Sequence, residues 1–385
     1  MKLTGGLLFG RLLVALSLVA GMPAAVAQLN IGVNLSVTGA GASQGIPQRD
    51  LIALLPKTLA GQPVQYLLLD NATDPTTSVR NARKLVAESR IDALINGSTT
   101  PTALAASEVA FESKTPMLSL APVAPPADRA AWVFQMPQTA DLMIDAVAEY
   151  MKANGVKTVG YIGYADPWGD LVYKSIAAAA KKYDLTLVND ERYQRTDTSV
   201  TPQALKSVSL KPDAMLIGAA GTPAALPHLA LLERGYTGKI FHTHGVVNND
   251  FLRIGGKQIE GALAPIGPVV VFRDLPDDNP VKKVSGEFIR LYEKAYGPGP
   301  VNAFATWAYD AYLLLERGVQ AALATGARPG TPEFRVALRD AIEQKTGGLV
   351  GTNGVYNLTA TDHSGLDKRA RVMVRVQNGG WVLAR

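Results

Sequence analysis

The chain contains no cysteine and only four histidines. The first absence removes disulfides, Cys-based metal centres and thiol nucleophiles. Stability must then come from a large apolar core, which 385 residues permit. The histidines are His228, His242, His244 and His363, and the two-residue step from His242 to His244 is no zinc-ligand spacing. No GxSxG occurs, nor a GxxxxGK followed by Ser or Thr, so the nucleophile elbow and the P-loop are both missing. A strong charge of either sign is missing too. Setting aside Lys2 and Arg11, 36 basic residues face 33 acidic ones, a net of +3 that is too weak and dispersed for a nucleic-acid surface. Beyond residue 27 there is no apolar run of the roughly 18 residues a spanning helix needs.

What is present begins with a leader. Residues 1–27 carry Lys2 and Arg11, an apolar stretch from Leu12 to Ala20, and a small-x-small ending at Ala25-Val26-Ala27. The expectation is a signal peptide, with Gln28 first in the mature chain. No Cys follows the cleavage site, so no lipid anchor is expected, and the periplasm is the expected destination.

After the leader, short apolar runs alternate with helical patterns. "LNIGVNL", "VQYLLLD", "IDALING" and "TPMLSLA" read as strands, with "TTSVRNARKLVAES" and "PTALAASEVAFES" as helices between them. A second series follows: strands "KTVGYIG", "LTLVNDERY", "DAMLIGAA" and "KIFHTHG", each separated by a helix. Strands that are apolar throughout, joined by helices, imply parallel sheets covered on both faces. The fold class is therefore α/β, with two doubly wound lobes and a cleft between them. The last third reads as three consecutive helices, then a hairpin turning at "NGG", Asn378–Gly380. Lobe 1 is expected to hold residues 28–137 plus 272–349, and lobe 2 residues 138–271 plus 350–385.

In open α/β sheets ligands bind beyond the carboxyl ends of the strands. One such loop is "GSTTPT". Thr100 suits an N-cap with Pro101 at N1, and Ser98 and Thr99 either satisfy the turn or help a helix N-terminus hold an anion. "TGAGASQG" places its third glycine one position late for a dinucleotide loop, so no nucleotide is expected; no other cofactor or metal is expected either. In lobe 2, Tyr164 and Trp168 bracket "ADP" after a strand. Trp168 either covers an apolar ligand face or packs on its own lobe. His244 either donates to a ligand or is structural. Ser98 and His244 lack a third, orienting group, so no enzyme is expected.

Taken in order, "IGVNLSVTGAGASQG", "NARKLVAESRIDALINGSTT", "TPMLSLAP", "KTVGYIGYADPWGD" and "GVYNL" resemble the periplasmic solute-binding proteins of ABC importers, in particular the leucine/isoleucine/valine-binding branch. The resemblance implies a two-lobed flytrap with a three-crossover hinge, a monomer that hands a small solute to an inner-membrane permease. It implies that Ser98 and Thr99, with Thr100, hold a ligand carboxylate beside Ala121, Pro122 and Val123, where Val123 stands in place of a hydroxyl residue. Trp168 matches the aromatic of lobe 2, joined by Tyr164. A second aromatic position falls in "AAGT", at Gly221 and Thr222, which implies a roomier floor. Amino-acid binders of the branch carry an acid near His244, to pair with the α-ammonium; here the loop offers His244 and Gly245. An unpaired buried ammonium is costly. The implied ligand is thus a small carboxylate without an α-ammonium, an aromatic acid or aromatic 2-oxo acid. The alternatives are a branched-chain or other amino acid, and a ligand-sensing module for a receptor or regulator.

Overall fold

The computed structural model describes residues 28–299 and 301–384; the expected leader lies outside the described residues. The first six strands are β1 (Leu29–Leu35), β2 (Thr58–Leu59), β3 (Gln62–Asp70), β4 (Ala93–Asn96), β5 (Met117–Ser119) and β6 (Val133–Gln135). They form one sheet in the order β2-β3-β1-β4-β5-β6, parallel except for β2. Helices α1 (Ala42–Leu54), α2 (Pro75–Ser89) and α3 (Thr100–Glu112) make the crossovers. Local signals explain them: Asp74 caps α2 by accepting from Thr77 N, and Pro75 occupies N1, where a missing N–H costs nothing.

The second series runs α4 (Ala140–Ala153), β7 (Thr158–Tyr164), α5 (Pro167–Tyr183), β8 (Thr186–Leu187), β9 (Glu191–Tyr193), α6 (Thr201–Ser209), β10 (Ala214–Gly218), α7 (Ala225–Glu233), β11 (Lys239–His242), α8 (Asn249–Gly255) and β12 (Leu263–Ile266). The central strands β7, β10 and β11 lie parallel and are almost wholly buried, which accounts for their unbroken apolar runs.

The chain then returns to the first sheet. Helices α9 (Pro280–Tyr296), α10 (Ala303–Leu323) and α11 (Pro332–Lys345) follow, with α10 packed on α1 and α11 on α10. Arg339 Nε donates to Ala131 O at 2.9 Å, and Gly330 N to Asp92 Oδ1 at 2.6 Å, fastening this block to lobe 1. A short pair, β13 (Leu349–Val350) and β14 (Val355–Tyr356), leads back to lobe 2. There β15 (Val372–Gln377) and β16 (Gly380–Leu383) complete the second sheet, β15 antiparallel to β12. The chain therefore passes between lobes three times. The hairpin turns on Asn378 and Gly379, both at positive φ (54° and 72°), as its tight turn requires.

Some expected elements differ. "LTLVNDERY" is not one strand: β8 and β9 are separated by Val188–Asp190, where Asn189 turns inward to accept from Tyr161 N. "TPMLSLA" shrinks to β5. Strands β6 and β12, too short to carry a pattern of their own, were not expected. Among the described residues no helix is long and apolar enough to cross a membrane.

Candidate functional site

In lobe 1 the site begins at the start of α3. The N-cap is Thr99, in extended conformation, and not Thr100 as expected. Thr100 is instead the first helical residue, because its hydroxyl is drawn away to donate to Pro122 O at 2.7 Å. Thr99 Oγ1 lies 3.0 Å from Thr102 Oγ1, which itself donates to Thr99 O, so the Thr99 hydroxyl is held inside the first turn. Ser98 Oγ accepts from Ser36 N at 3.0 Å, leaving its own hydrogen free to donate. The N–H groups of Ser98, Thr99 and Thr100 meet no protein acceptor among the described residues. Three free amides, one hydroxyl and the positive end of a thirteen-residue helix thus converge.

Lobe 2 answers with Asp166, which ends the loop after β7. Its Oδ1 accepts from Trp168 N at 2.8 Å and Gly169 N at 3.2 Å, capping α5 and fixing Trp168 in the first turn. Its Oδ2 accepts from Arg195 Nε at 2.5 Å, and the Arg195 guanidinium lies 4.0 Å from the Tyr164 ring centroid. One carboxylate therefore places both a tryptophan and an arginine.

Between these surfaces lies a cavity. Ser98, Thr99, Thr100, Ala121, Pro122, Trp168, His244 and Gly245 line it together. Gln44, Arg195, Ala220, Phe304 and Trp307 complete it, and none of these five was singled out from the sequence. The other candidates sit beside it. Tyr164 lies behind Arg195, its hydroxyl donating to Ala220 O at 2.5 Å, and burial pushes its pKa up. Val123 donates its N–H to Gln135 Oε1 at 2.7 Å and lines a neighbouring depression. Gly221 and Thr222 form the rim, where Thr222 N donates across the cleft to Ser43 Oγ at 3.2 Å. The roomy floor expected at "AAGT" is absent: side chains of Gln44, Phe304 and Trp307 take part of the lining instead. With the lobes as they stand the cavity is small, about 20 Å³.

The walls are aromatic. Trp168 and His244 meet edge to face at 5.5 Å, His244 and Trp307 at 5.6 Å, and Phe304 and Trp307 at 5.0 Å. The chain of rings runs from lobe 2 to lobe 1. His244 is fully enclosed, and burial pulls its pKa down to about 3, so the ring is neutral near neutral pH. Among the described residues Arg195 is the one charged residue of the lining, and no Asp or Glu lines the cavity.

Five lining groups are buried and have no partner within the protein: Gln44 Nε2, Trp168 Nε1, Arg195 Nη1, His244 Nδ1 and Trp307 Nε1. Four are obligate donors, and the imidazole nitrogen is a fifth in one tautomer. A buried unsatisfied polar atom costs about 1–3 kcal/mol, so five around one cavity point to a ligand rich in acceptors. Among the described residues no cluster of three His, Cys, Asp or Glu side chains is placed to hold a metal.

A family model described as periplasmic binding protein matches residues 28–380. The chain belongs to the periplasmic binding protein family. An extracellular ligand-binding receptor from Rhodopseudomonas palustris is 43% identical, with 93% of this chain and 99% of that one covered and a TM-score of 0.91. More distant structures share the fold. A solute-binding protein of an R. palustris ABC transporter, solved with benzoate, is 19% identical over 92% of this chain and 95% of that one, with a TM-score of 0.79. A branched-chain amino acid transporter substrate-binding protein from Streptococcus pneumoniae, solved with isoleucine, is 18% identical over 93% and 100%, with a TM-score of 0.77. No curated protein matches the chain in sequence. The family and these relatives are named as binding proteins and ligand-binding receptors.

Proposed function

We propose that this periplasmic binding protein takes up a small carboxylate lacking an α-ammonium, an aromatic acid or aromatic 2-oxo acid, in its interlobe cavity. One observation carries the reading: the cavity gathers unpaired donors and aromatic faces and has no carboxylate among its lining. The ligand carboxylate would lie at the start of α3, against the Ser98 hydroxyl and the amides of Thr99 and Thr100. The ring would stack among Trp168, Phe304 and Trp307, with Ala121, Pro122 and Gly245 as backbone walls. His244, Gln44 and Arg195 remain for a second acceptor such as a 2-oxo group. The same set leaves an α-ammonium unpaired, which favours this reading over a branched-chain amino acid.

The lobes that close on the ligand are residues 28–137 with 272–349 and residues 138–271 with 350–385. Exported by removal of residues 1–27, the chain would work in the periplasm as a monomer that delivers its ligand to an ABC permease, with no turnover of its own. The R. palustris protein solved with benzoate lends the ligand class support at the level of fold. A thermal-shift series tests it with benzoate, benzoylformate and phenylpyruvate against leucine and isoleucine. A ligand at a hundred times its Kd adds roughly 2.7 kcal/mol, a clear rise in melting temperature. Stabilisation by the aromatic acids is expected; stabilisation by the amino acids alone would sink the ligand assignment.

A further inference from the structure

Helix α10 carries Phe304 and Trp307 into the cavity, and one turn further along it carries Asp310, which is wholly buried. No lysine, arginine or histidine pairs with this carboxylate among the described ion pairs. Its partners are of another kind. Oδ1 accepts from Thr352 N at 2.6 Å and Thr352 Oγ1 at 2.8 Å; Oδ2 accepts from Asn353 N at 3.1 Å and Asn353 Nδ2 at 2.9 Å. All four donors belong to the third passage between the lobes. The Tyr356 hydroxyl bridges Asp310 Oδ2 at 2.9 Å and the Met136 carbonyl at 2.7 Å, which ties in the first passage. The second passage packs against the other two: a Cβ on Gly267 would lie 2.4 Å from Asn353 Oδ1 and 2.8 Å from Gln138 Nε2.

The other end of α10 is held across the cleft. Ala303 N, a first-turn amide without an intrahelical acceptor, donates to Val247 O of lobe 2 at 3.2 Å. Trp307 meets His244 of lobe 2 edge to face. One helix therefore touches the cleft with its first two turns and the third passage with its next, and the third passage in turn reaches the first through Tyr356 and lies against the second at Asn353. A carboxylate buried without a cation is tolerated only while its donors stay in place, so any rearrangement of the passages is felt at Asp310.

We propose that Asp310 is a positioning residue for ligand binding: it pins the third interlobe passage to α10, which braces the other two through Tyr356 and Asn353, and thereby sets the balance between open and shut lobes without touching the ligand. The proposal rests on the interlobe cavity being the ligand site. Its test uses the full mature chain with no ligand added, comparing wild type with Asp310→Asn by hydrogen exchange. Loss of a buried acceptor for several donors should raise exchange roughly tenfold in segments 135–139, 265–269 and 350–357 together. A rise confined to 350–357, or one spread evenly over both lobes, would overturn the proposal. Thr352→Val removes one donor only and should give a smaller rise in the same three segments, so it carries the test if Asp310→Asn does not fold. A second arm adds phenylpyruvate as the probe and expects a faster dissociation rate in Asp310→Asn, with the association rate changed less. Absence of phenylpyruvate binding by the wild type would overturn the ligand reading alone. Binding with an unchanged dissociation rate in Asp310→Asn would overturn the role given to Asp310.

Discussion

At the scale of single residues, the site is a set of donors whose partners the protein does not supply. Ser98 is the sharpest case. Its hydroxyl already accepts from Ser36 N, so the only service its hydrogen can render is to something outside the loop. Ser98→Ala should weaken binding of phenylpyruvate by about tenfold or more, the usual worth of a hydrogen bond to a charged group, and should also lower the stability of the free protein by about 1–3 kcal/mol, because the buried Ser36 N–H loses its acceptor. Calorimetric titration checks this; equal affinities would remove Ser98 from the carboxylate site. A second residue-scale effect concerns pH. Burial holds His244 near a pKa of about 3 and His228 near about 4, both below the ordinary value of 6.5. Above pH 6.5 these rings are neutral folded or unfolded and contribute nothing. Between that pH and the folded values the unfolded chain binds protons that the folded chain refuses. Each histidine should then subtract ~1.4 kcal/mol of stability per pH unit, and urea melts from pH 7 to pH 5 should show the loss. His244→Asn should remove His244's share of that slope and leave the share of His228.

At the scale of elements, Asp166 shows how a short loop sets a site. As N-cap it starts α5 and aims Trp168; as counter-ion it holds Arg195. The two roles separate by substitution. Asn is as good an N-cap as Asp, so Asp166→Asn should keep the helix start and lose only the ion pair. Asp166→Ala should lose both and be less stable than Asp166→Asn by about 1 kcal/mol, read from denaturant midpoints. Equal midpoints would mean that Asp166 does not cap α5. Elements were also where the sequence was most readable. The block α9–α11 and the hairpin at Asn378–Gly379 were expected within a few residues, because helix periodicity and paired turn residues are local signals. The one-residue slip at α3 has a local cause too: Thr99 and Thr100 are both good caps, and the choice was made by Pro122, a contact 22 residues away. Strand β12 escaped notice because four residues of "LAPI" carry no period.

At the scale of the whole molecule, the cavity is lined by groups brought together from distant places in the chain. Ser98, Trp168, Arg195, His244 and Trp307 come from five different loops or helices. Arg195 and Trp307 left no mark in the sequence. An arginine past a short strand reads as surface, and a tryptophan inside an apolar helix reads as core; only the way two lobes face each other turns both toward one cavity. The rim has the same character. Gly221 sits at φ 66°, which favours glycine by itself, and a Cβ there would also lie 2.8 Å from Ser43 Oγ and 3.0 Å from Gln44 Nε2 of the opposite lobe, a conflict that arises only when the lobes meet. What the sequence did carry to this scale was an absence, the missing acid at "HTHG".

That absence is the centre of the account, and a matched pair of ligands addresses it most directly. Phenylpyruvate and phenylalanine share a ring, a methylene and a carboxylate, and differ in an oxo group against an ammonium. Titration calorimetry of the mature protein with each should give saturable binding of phenylpyruvate. Phenylalanine should bind roughly a hundredfold more weakly or worse, since a buried unpaired charge costs several kcal/mol. Phenylalanine binding as tightly as phenylpyruvate, or more tightly, would contradict the claim that this cleft is built for an acid without an α-ammonium.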